Sequence, residues 1–497
     1  MPQPKPQLVR EIGLLALTAT GICSMLGAAI NVLPFMIQRH VPGIGPHVLP
    51  AYLLGAAPAV FAALAYAVLA SAMPRAGGSY IYASRALHPY LGFIASFSQW
   101  FGLSIAIGVV SYLLVPFLVD IAVNVGFPGL GAQLERGPVR VAVALAFLWL
   151  FVAINVRGLR LYSRTLVPLM VVMFVAGSVV IVAGFAHDHA DFAAALARRG
   201  ESVPAVATLP LEPSAVFAAA AILFATFIGF DSIAQAGGEA KRPQRTMPLA
   251  IGLALVTVGG FYLLFTAAVY HTVPWQYIAA RAQTADLTAP RLLGAVLSPG
   301  WTTAIVAGAA IALINDLPAM LLAVSRLMFA WAEDGIFPRP VARVHPRWRT
   351  PHVALVASGA VASGSIAGCH LAGDFFVGVD ILALSMLVNF LLMCVAVLVL
   401  PRRNPTLAAE VRFLPARPAQ WVVGALGAVV LGAFLFVHVD KDLRGEAAAW
   451  YFRSTWMWLL VMAVASVVFA FQWDGLRRRG VDTDARFATL PPEPIES

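Results

Sequence analysis

Two stretches of the chain place polar or flexible residues inside apolar runs that are long enough to cross a bilayer. In FATFIGFDSIAQAGGEAKRPQRTMP, from Phe224 to Pro248, Gly229 weakens a helix and Asp231 adds a carboxyl where lipid disfavours a charge. The stretch ATGICSMLGAAINVLP, from Ala19 to Pro34, is similarly rich in small residues. Helices broken at membrane depth are tolerated only where they line a cavity or pack inside protein. A pair of such breaks therefore predicts a transport site.

Small, weakly helical residues run from Gly21 to Ala29, so the chain is expected to unwind there. Gly21 and Gly27 each cost about 1 kcal/mol relative to alanine in a helix. Unwound backbone exposes amides at the start of the next half-helix, which bind a carboxylate, and carbonyls at the end of the preceding one, which accept from an ammonium. Together these groups fit a zwitterion. The alternative is that the small residues only allow close packing of helices.

The composition is typical of a polytopic α-helical membrane protein. Of 497 residues, 60% are hydrophobic and 11% are charged, and the mean hydropathy is +0.83, whereas soluble domains carry about 25% charge. Apolar runs of about 20 residues exclude a β-barrel. The net charge of +9 is spread over loops, which argues against binding of nucleic acid. Cys23, Cys369 and Cys394 have no disulfide or metal-binding spacing, and we expect no metal and no cofactor.

Twelve apolar segments, called spans 1 to 12, are predicted to cross the membrane. Spans 1 and 6 are interrupted, and spans 3 and 8 are so long that they must tilt. Features that recur five positions apart predict an inverted repeat of spans 1–5 and 6–10, with spans 11 and 12 appended. The predicted spans cover residues 13–37, 48–73, 91–119, 139–156, 163–186, 214–236, 246–270, 300–330, 352–371, 375–400, 420–439 and 454–473.

The positive charges predict the orientation. Of the 33 Lys and Arg residues, 22 fall in segments on the side of the N-terminus and ten on the other side, while Arg326 lies within span 8. Because positive residues accumulate in cytoplasmic loops, both termini are expected in the cytoplasm. We predict an N-terminal tail at 1–12, a core at 13–400, spans 11 and 12 within 420–473, and a C-terminal tail at 474–497 that is disordered.

Four motifs make the chain resemble the amino acid–polyamine–organocation (APC) superfamily of permeases. The resemblance covers about residues 10–400 and implies a leucine-transporter-like five-plus-five fold of twelve helices with helices 1 and 6 broken. It also implies that the chain is no enzyme but a secondary transporter of amino acids or related amines in the cell membrane. The motifs are MLGAAINVLP at Met25–Pro34, MPRAGGSYIYASRALHPYLGF at Met73–Phe93, FIGFDSIAQAGGEAKRPQRTMP at Phe227–Pro248 and SRLMFAWAEDGIFP at Ser325–Pro338.

The resemblance also implies which backbone groups bind the substrate. The substrate carboxylate would meet the positions of Ala28 and Ala29, and the amine would meet the carbonyls of Met25, Ala225 and Ile228. This chain departs from the family pattern because Ala28 has no hydroxyl and Ala29 replaces a glycine. Recognition through the backbone survives both changes, but the identity of the substrate is left open.

Other polar groups inside the spans have two interpretations each. Asp316 and Asp380 belong either to a polar pocket wall or to buried hydrogen bonds that serve structure alone. Arg326 either extends toward the membrane surface or pairs with an acid such as Glu239 or Glu333 in an inner gate.

Asp231 is the main candidate for coupling transport to a proton, and the alternative is that it only caps the second half of span 6. Sodium symport stays open beside proton symport and exchange, although we favour the latter two. A sensor, a carrier of another organic solute, a channel and a membrane-embedded enzyme are the other classes, and no nucleotide-binding loop or HExxH element appears. The sequence does not define the oligomeric state.

Overall fold

The computed structural model describes residues 9–27, 29–206, 210, 212–372, 375–445, 450–492 and 495–496. Within this part of the chain, eleven helices are long and apolar enough to cross a membrane, and they correspond to every predicted span except span 6. Span 1 consists of the half-helices Leu14–Met25 and Ala29–His40. The other ten are Val48–Ala72, Pro89–Asn124, Gly137–Val156, Leu159–Ala186, Pro243–Thr272, Pro299–Asp334, His352–Ala372, Phe376–Arg403, Arg417–Arg444 and Ser454–Arg478.

Span 6 is interrupted around Gly229, where the sequence predicts a break. The interruption of span 1 is shorter than expected, because the first half-helix continues through Gly21 to Met25. The helix Pro213–Leu223 continues into a 3-10 turn, Phe224–Phe227, and the chain resumes a helix only at Asp231–Gln235. Between them Gly229 has φ of 140°, a conformation that side chains disfavour. Neither half is long enough to cross a bilayer alone, since a spanning helix needs about 20 residues.

Spans 3 and 8 are the longest helices, with 36 residues each, and they pack along one another. Both helices are longer than predicted. Each begins earlier, with Pro89 or Pro299 at the first helical position, where proline is favoured. Each also continues into polar residues at its C-terminal end. The broken span 1 packs against span 8, and spans 3, 6 and 10 supply further walls around it.

Short helices lie in the connections. The α-helices are Gly78–Ala86, Pro128–Leu134, His189–Ala197, Trp275–Ala282, Ala289–Leu293, Pro405–Ala409 and Thr483–Ala488, and the 3-10 turns are Gly45–His47, Arg339–Ala342 and Trp450–Phe452. The two strands that the structure describes, Val9–Arg10 and Ile495–Glu496, pair in parallel and bring both ends of the chain together.

The end of the bundle that carries these strands together with the helices Gly78–Ala86 and Thr483–Ala488 is called the terminal face. The expected disorder of the C-terminal tail is wrong for residues 474–492. The Phe487 ring lies 5.0 Å from the Arg85 guanidinium, and Asn404 donates a hydrogen bond of 2.9 Å to the Ala488 carbonyl. A polar, proline-rich segment is ordered here because buried side chains of the bundle bind its carbonyls.

Cysteine labelling tests on which side of the membrane the terminal face lies. Thr406 is exposed beside that face, and Ala194 is exposed on the helix His189–Ala197 at the opposite end. In intact cells an impermeant maleimide should label Ala194→Cys but not Thr406→Cys, and permeabilised cells should label both. The three native cysteines are buried and give little background. Labelling of Thr406→Cys from outside would reverse the predicted orientation.

Candidate functional site

The breaks in spans 1 and 6 lie against each other in the middle of the molecule. A side chain on Gly229 would overlap the Ser24 carbonyl at the end of the half-helix Leu14–Met25. The Ser24 and Ser232 hydroxyls are 2.9 Å apart and share a hydrogen bond. Glycine is therefore required at position 229 for two reasons, the positive φ and the close approach of a second backbone.

The unwound segment of span 1 packs on span 8. A side chain on Gly27 would overlap the carboxylate of Asp316, so the carboxylate lies directly on the Gly27 α-carbon. The Met25 carbonyl accepts a hydrogen bond from the Tyr262 hydroxyl and another, of 3.0 Å, from the Gly27 amide. Ala28, which the resemblance places against a substrate carboxylate, lies outside the described residues.

A cavity of about 70 Å³ lies between the two breaks and spans 3, 8 and 10. Among the residues named from the sequence, those that line it are Met25, Ala29, Ala225, Ile228 and Asp316. Most of the remaining wall is aliphatic. Such a cavity, apolar with few polar groups, is the usual form of a small-molecule site.

Asp316 is the acid that reaches this cavity. Its side chain is 6% exposed, and within the described part of the chain no group donates a hydrogen bond to its Oδ1 atom. The neighbouring Asn315 donates to the Cys23 sulfur at 2.9 Å and not to Asp316. A buried carboxyl oxygen without a donor is costly, which marks this position as one that a ligand would satisfy.

Asp231, in contrast, is fully buried behind the cavity and has partners on both oxygens. Its Oδ1 accepts from the Gly229 amide at 3.0 Å, and its Oδ2 accepts from Gln99 Nε2. The other end of the Gln99 amide accepts from Gln235 at 3.1 Å and Asn389 at 2.8 Å. This network therefore joins spans 3, 6 and 10 through uncharged donors.

Sequence reasoning missed Gln99 and Asn389. Each is an amide side chain inside an otherwise apolar span, and that was the available signal, because buried amides in a membrane pair with other polar groups. Which carboxyl they bind could not be read from the sequence, since Gln99 and Asp231 are 132 residues apart.

Two buried ion pairs lie on the side of the cavity toward the terminal face, and Arg85 of one pair belongs to that face. Arg326 pairs with Glu239 at 2.7 Å, and their side chains are 2% and 0% exposed. Arg85 pairs with Asp334 at 2.5 Å, and the Tyr80 hydroxyl donates to the same carboxylate at 2.7 Å. The first pair is one of the alternatives that the sequence offered, whereas the sequence did not single out the second.

Two named residues lie apart from both the cavity and the ion pairs. Gly21 faces Ile233 and Ala254, so its small size serves helix packing here. Asp380 is directed toward span 11, where it interacts electrostatically with His438 and Lys441. Among the described residues no group of three His, Cys, Asp or Glu side chains could hold a metal ion.

Comparison with known proteins gives a consistent result. A profile of the family described as "Amino acid permease" matches residues 12–465. The "Uncharacterized transporter Rv1999c" of Mycobacterium tuberculosis is 31% identical, over 71% of this chain and 73% of its own length. The "Branched-chain amino acid permease BcaP" of Bacillus subtilis is 28% identical, over 80% and 83%. The "Low-affinity putrescine importer PlaP" of Escherichia coli is 25% identical, over 81% and 83%.

The buried pair Arg326–Glu239 should affect stability far more than an exposed pair. Either Arg326→Gln or Glu239→Gln leaves one buried charge without a partner, which costs about 3–5 kcal/mol, and the double variant should lose less than the sum. The exposed pair Arg444–Asp440, at 2.6 Å, is the control, and Arg444→Gln should cost less than about 1 kcal/mol.

Thermal unfolding of the purified protein in detergent measures both sets of variants. If Arg326→Gln and Arg444→Gln lowered the stability equally, the assignment of Arg326–Glu239 as a buried, mutually dependent pair would be contradicted.

Proposed function

Because the chain belongs to the amino acid permease family, we propose that it is a secondary transporter that moves amino acids or related amines across the cell membrane. The observation that carries the proposal is the cavity enclosed between the breaks of spans 1 and 6. A site midway along two broken helices can be opened to either side by moving one group of helices against another.

We further propose the twelve-span, five-plus-five inverted repeat with both termini in the cytoplasm. In support, the interrupted spans 1 and 6 and the 36-residue spans 3 and 8 each recur five positions apart. The core at 13–400 then contains every residue that lines the cavity, and spans 11 and 12 pack outside it.

The terminal face forms the closed gate in this proposal. The pairs Arg326–Glu239 and Arg85–Asp334 lie on this side of the cavity, so a substrate can leave in this direction only after they separate. Paired charges suit this role because their separation in water costs far less than in a dry interior. Release into the cytoplasm would therefore require water to enter beside these pairs.

Asp231 is the proposed coupling group, by proton symport, and exchange without a proton is the alternative. The carboxyl is buried among uncharged hydrogen-bond donors, and the titratable group described nearby is Tyr66, itself buried and hydrogen-bonded to Asn389 at 2.8 Å. A change in the charge of Asp231 would alter the hydrogen bond that its carboxyl accepts from the Gly229 amide at the break of span 6. Protonation and the shape of the site are linked in this way.

Substrate counterflow in proteoliposomes tests the proposed transport. Vesicles loaded with an unlabelled amino acid or amine should accumulate the same labelled compound, and empty vesicles should not. A sensor would bind the compound without accumulating it. Failure of all amino acids and their decarboxylated amines in this assay would overturn the proposal.

The unwound segment of span 1 should be essential for substrate binding. Gly27→Val would push the Asp316 carboxylate away from the break, so we expect loss of ligand-induced thermal stabilisation and of counterflow. Gly260→Val on the exposed side of span 7, where nothing lies within 4 Å of an added Cβ, is the matched control and should behave like the wild type. Normal counterflow in Gly27→Val would remove span 1 from the site.

Asp231→Asn should uncouple transport from the pH gradient. Asparagine keeps an oxygen for the Gly229 amide but cannot titrate, so binding should persist while uptake loses its dependence on pH between about 5 and 8. Uptake into proteoliposomes with and without an imposed gradient measures this, and Asp380→Asn is the control acid outside the cavity. A profile that superimposes on the wild type would assign Asp231 a structural role and favour exchange.

A further inference from the structure

We propose that Asp316 binds the ammonium group of the transported molecule, and that the substrate is a small aliphatic compound with one protonated amine. This inference rests on the proposed transport function and deepens it. It replaces the carbonyls of Met25, Ala225 and Ile228, which the family resemblance suggests, with a side-chain carboxylate as the principal partner of the amine.

Asp316 differs from the other acids near the centre of the molecule in its hydrogen-bond and ion-pair partners. Asp231 is bound by Gln99 and the Gly229 amide, while Glu239 and Asp334 are held in ion pairs. Asp316 lines the cavity, is buried, and has an Oδ1 atom to which no described residue donates. A bound ammonium, with three donors, would supply the missing hydrogen bond and neutralise the charge.

Two acceptors of the span 1 break, the Met25 carbonyl and the Ser24 hydroxyl, are already occupied. The Met25 carbonyl receives the Tyr262 hydroxyl and the Gly27 amide, and the Ser24 hydroxyl is engaged with Ser232. An incoming amine would have to displace one of these groups to bind there. Binding at Asp316 displaces no hydrogen bond that the described residues make.

The rest of the wall indicates the body of the substrate. Around the carboxyl the cavity is lined by aliphatic side chains from spans 3, 8 and 10, including Leu103, Val109, Val110, Leu113, Met320 and Leu382. Among the described residues of this wall, a second cationic group would find no acid besides Asp316. At about 70 Å³ the cavity holds on the order of five water-sized spheres, which suits a short aliphatic chain.

The chemistry is shared by aliphatic amino acids and by the simple amines that lack their carboxylate. Asp316 lies on Gly27, next to the start of the half-helix Ala29–His40, where a substrate carboxylate would also be drawn by the helix amides. Two carboxylates there repel each other unless the ammonium lies between them. Amino acids and simple amines would therefore both place their ammonium at Asp316. The two classes differ in whether the site also accepts a carboxylate.

Purified protein and two matched ligand series provide the test. L-leucine is compared with its 2-hydroxy acid, and isopentylamine with 3-methyl-1-butanol, so that each pair differs in the ammonium group alone. We expect binding of leucine, isopentylamine or both, and no binding of the two hydroxyl analogues. Binding of leucine alone would indicate that the site also recognises the carboxylate. Binding of isopentylamine alone would indicate that the substrate is a simple amine.

Asp316→Asn should lower the affinity for the ammonium compound by about 30-fold or more, because it removes one partner of a buried charge pair. Without ligand its melting temperature should equal or exceed that of the wild type, since the carboxyl makes no bond that asparagine cannot replace. A purely structural role would instead lower that temperature. Asp316→Ser serves if the asparagine variant does not fold, and Asp380→Asn should bind like the wild type.

Two results would overturn the inference, and they can be told apart. Equal affinity of wild type and Asp316→Asn for an ammonium compound removes Asp316 from the site but leaves the proposed transport intact. If no amino acid or aliphatic amine binds to or is carried by the wild-type protein, the proposed function itself fails.

Discussion

Inside a bilayer, a backbone amide or carbonyl that leaves its helix finds no water, so protein must enclose every helix break. Here the two breaks enclose one another. The Gly229 backbone lies against the Ser24 carbonyl, and a Ser24–Ser232 hydrogen bond of 2.9 Å joins the two helices. The cavity, the position of Asp316 and the polar network of Asp231 all depend on this contact, because each is attached to one of the breaks.

The two central acids differ in their surroundings, which suits them to different tasks. Asp231 is held by Gln99 and the Gly229 amide, so its carboxyl is fixed in place and connected to neighbouring helices. Asp316 faces an aliphatic cavity with hydrogen-bonding capacity unused by the described residues. A change of charge on a fully hydrogen-bonded group affects the network around it, whereas a buried oxygen without a donor is left with an unmet hydrogen bond.

The terminal face combines ion pairs with an ordered tail. Buried ion pairs contribute little net stability, since desolvation offsets most of their attraction, but they form and separate as discrete states. Arg85 belongs to such a pair with Asp334 and also donates to the Thr489 carbonyl of the tail at 3.2 Å. The C-terminal segment is therefore in direct contact with a buried ion pair of this face.

The sequence by itself determined the membrane class, the position of nearly every span and the presence of a break in spans 1 and 6, because hydropathy and glycine content act locally. It placed the start of the span 1 break too early, since the packed first half-helix continues through Gly21 to Met25. It also supplied Asp316 and the pair Arg326–Glu239, although only as alternatives. The tertiary structure decided which acids face the cavity, that Gln99 and Asn389 bind around Asp231, and that the tail packs on Arg85. Those contacts join residues more than 100 positions apart, and nothing in the local pattern determines which distant donor meets a buried carboxyl.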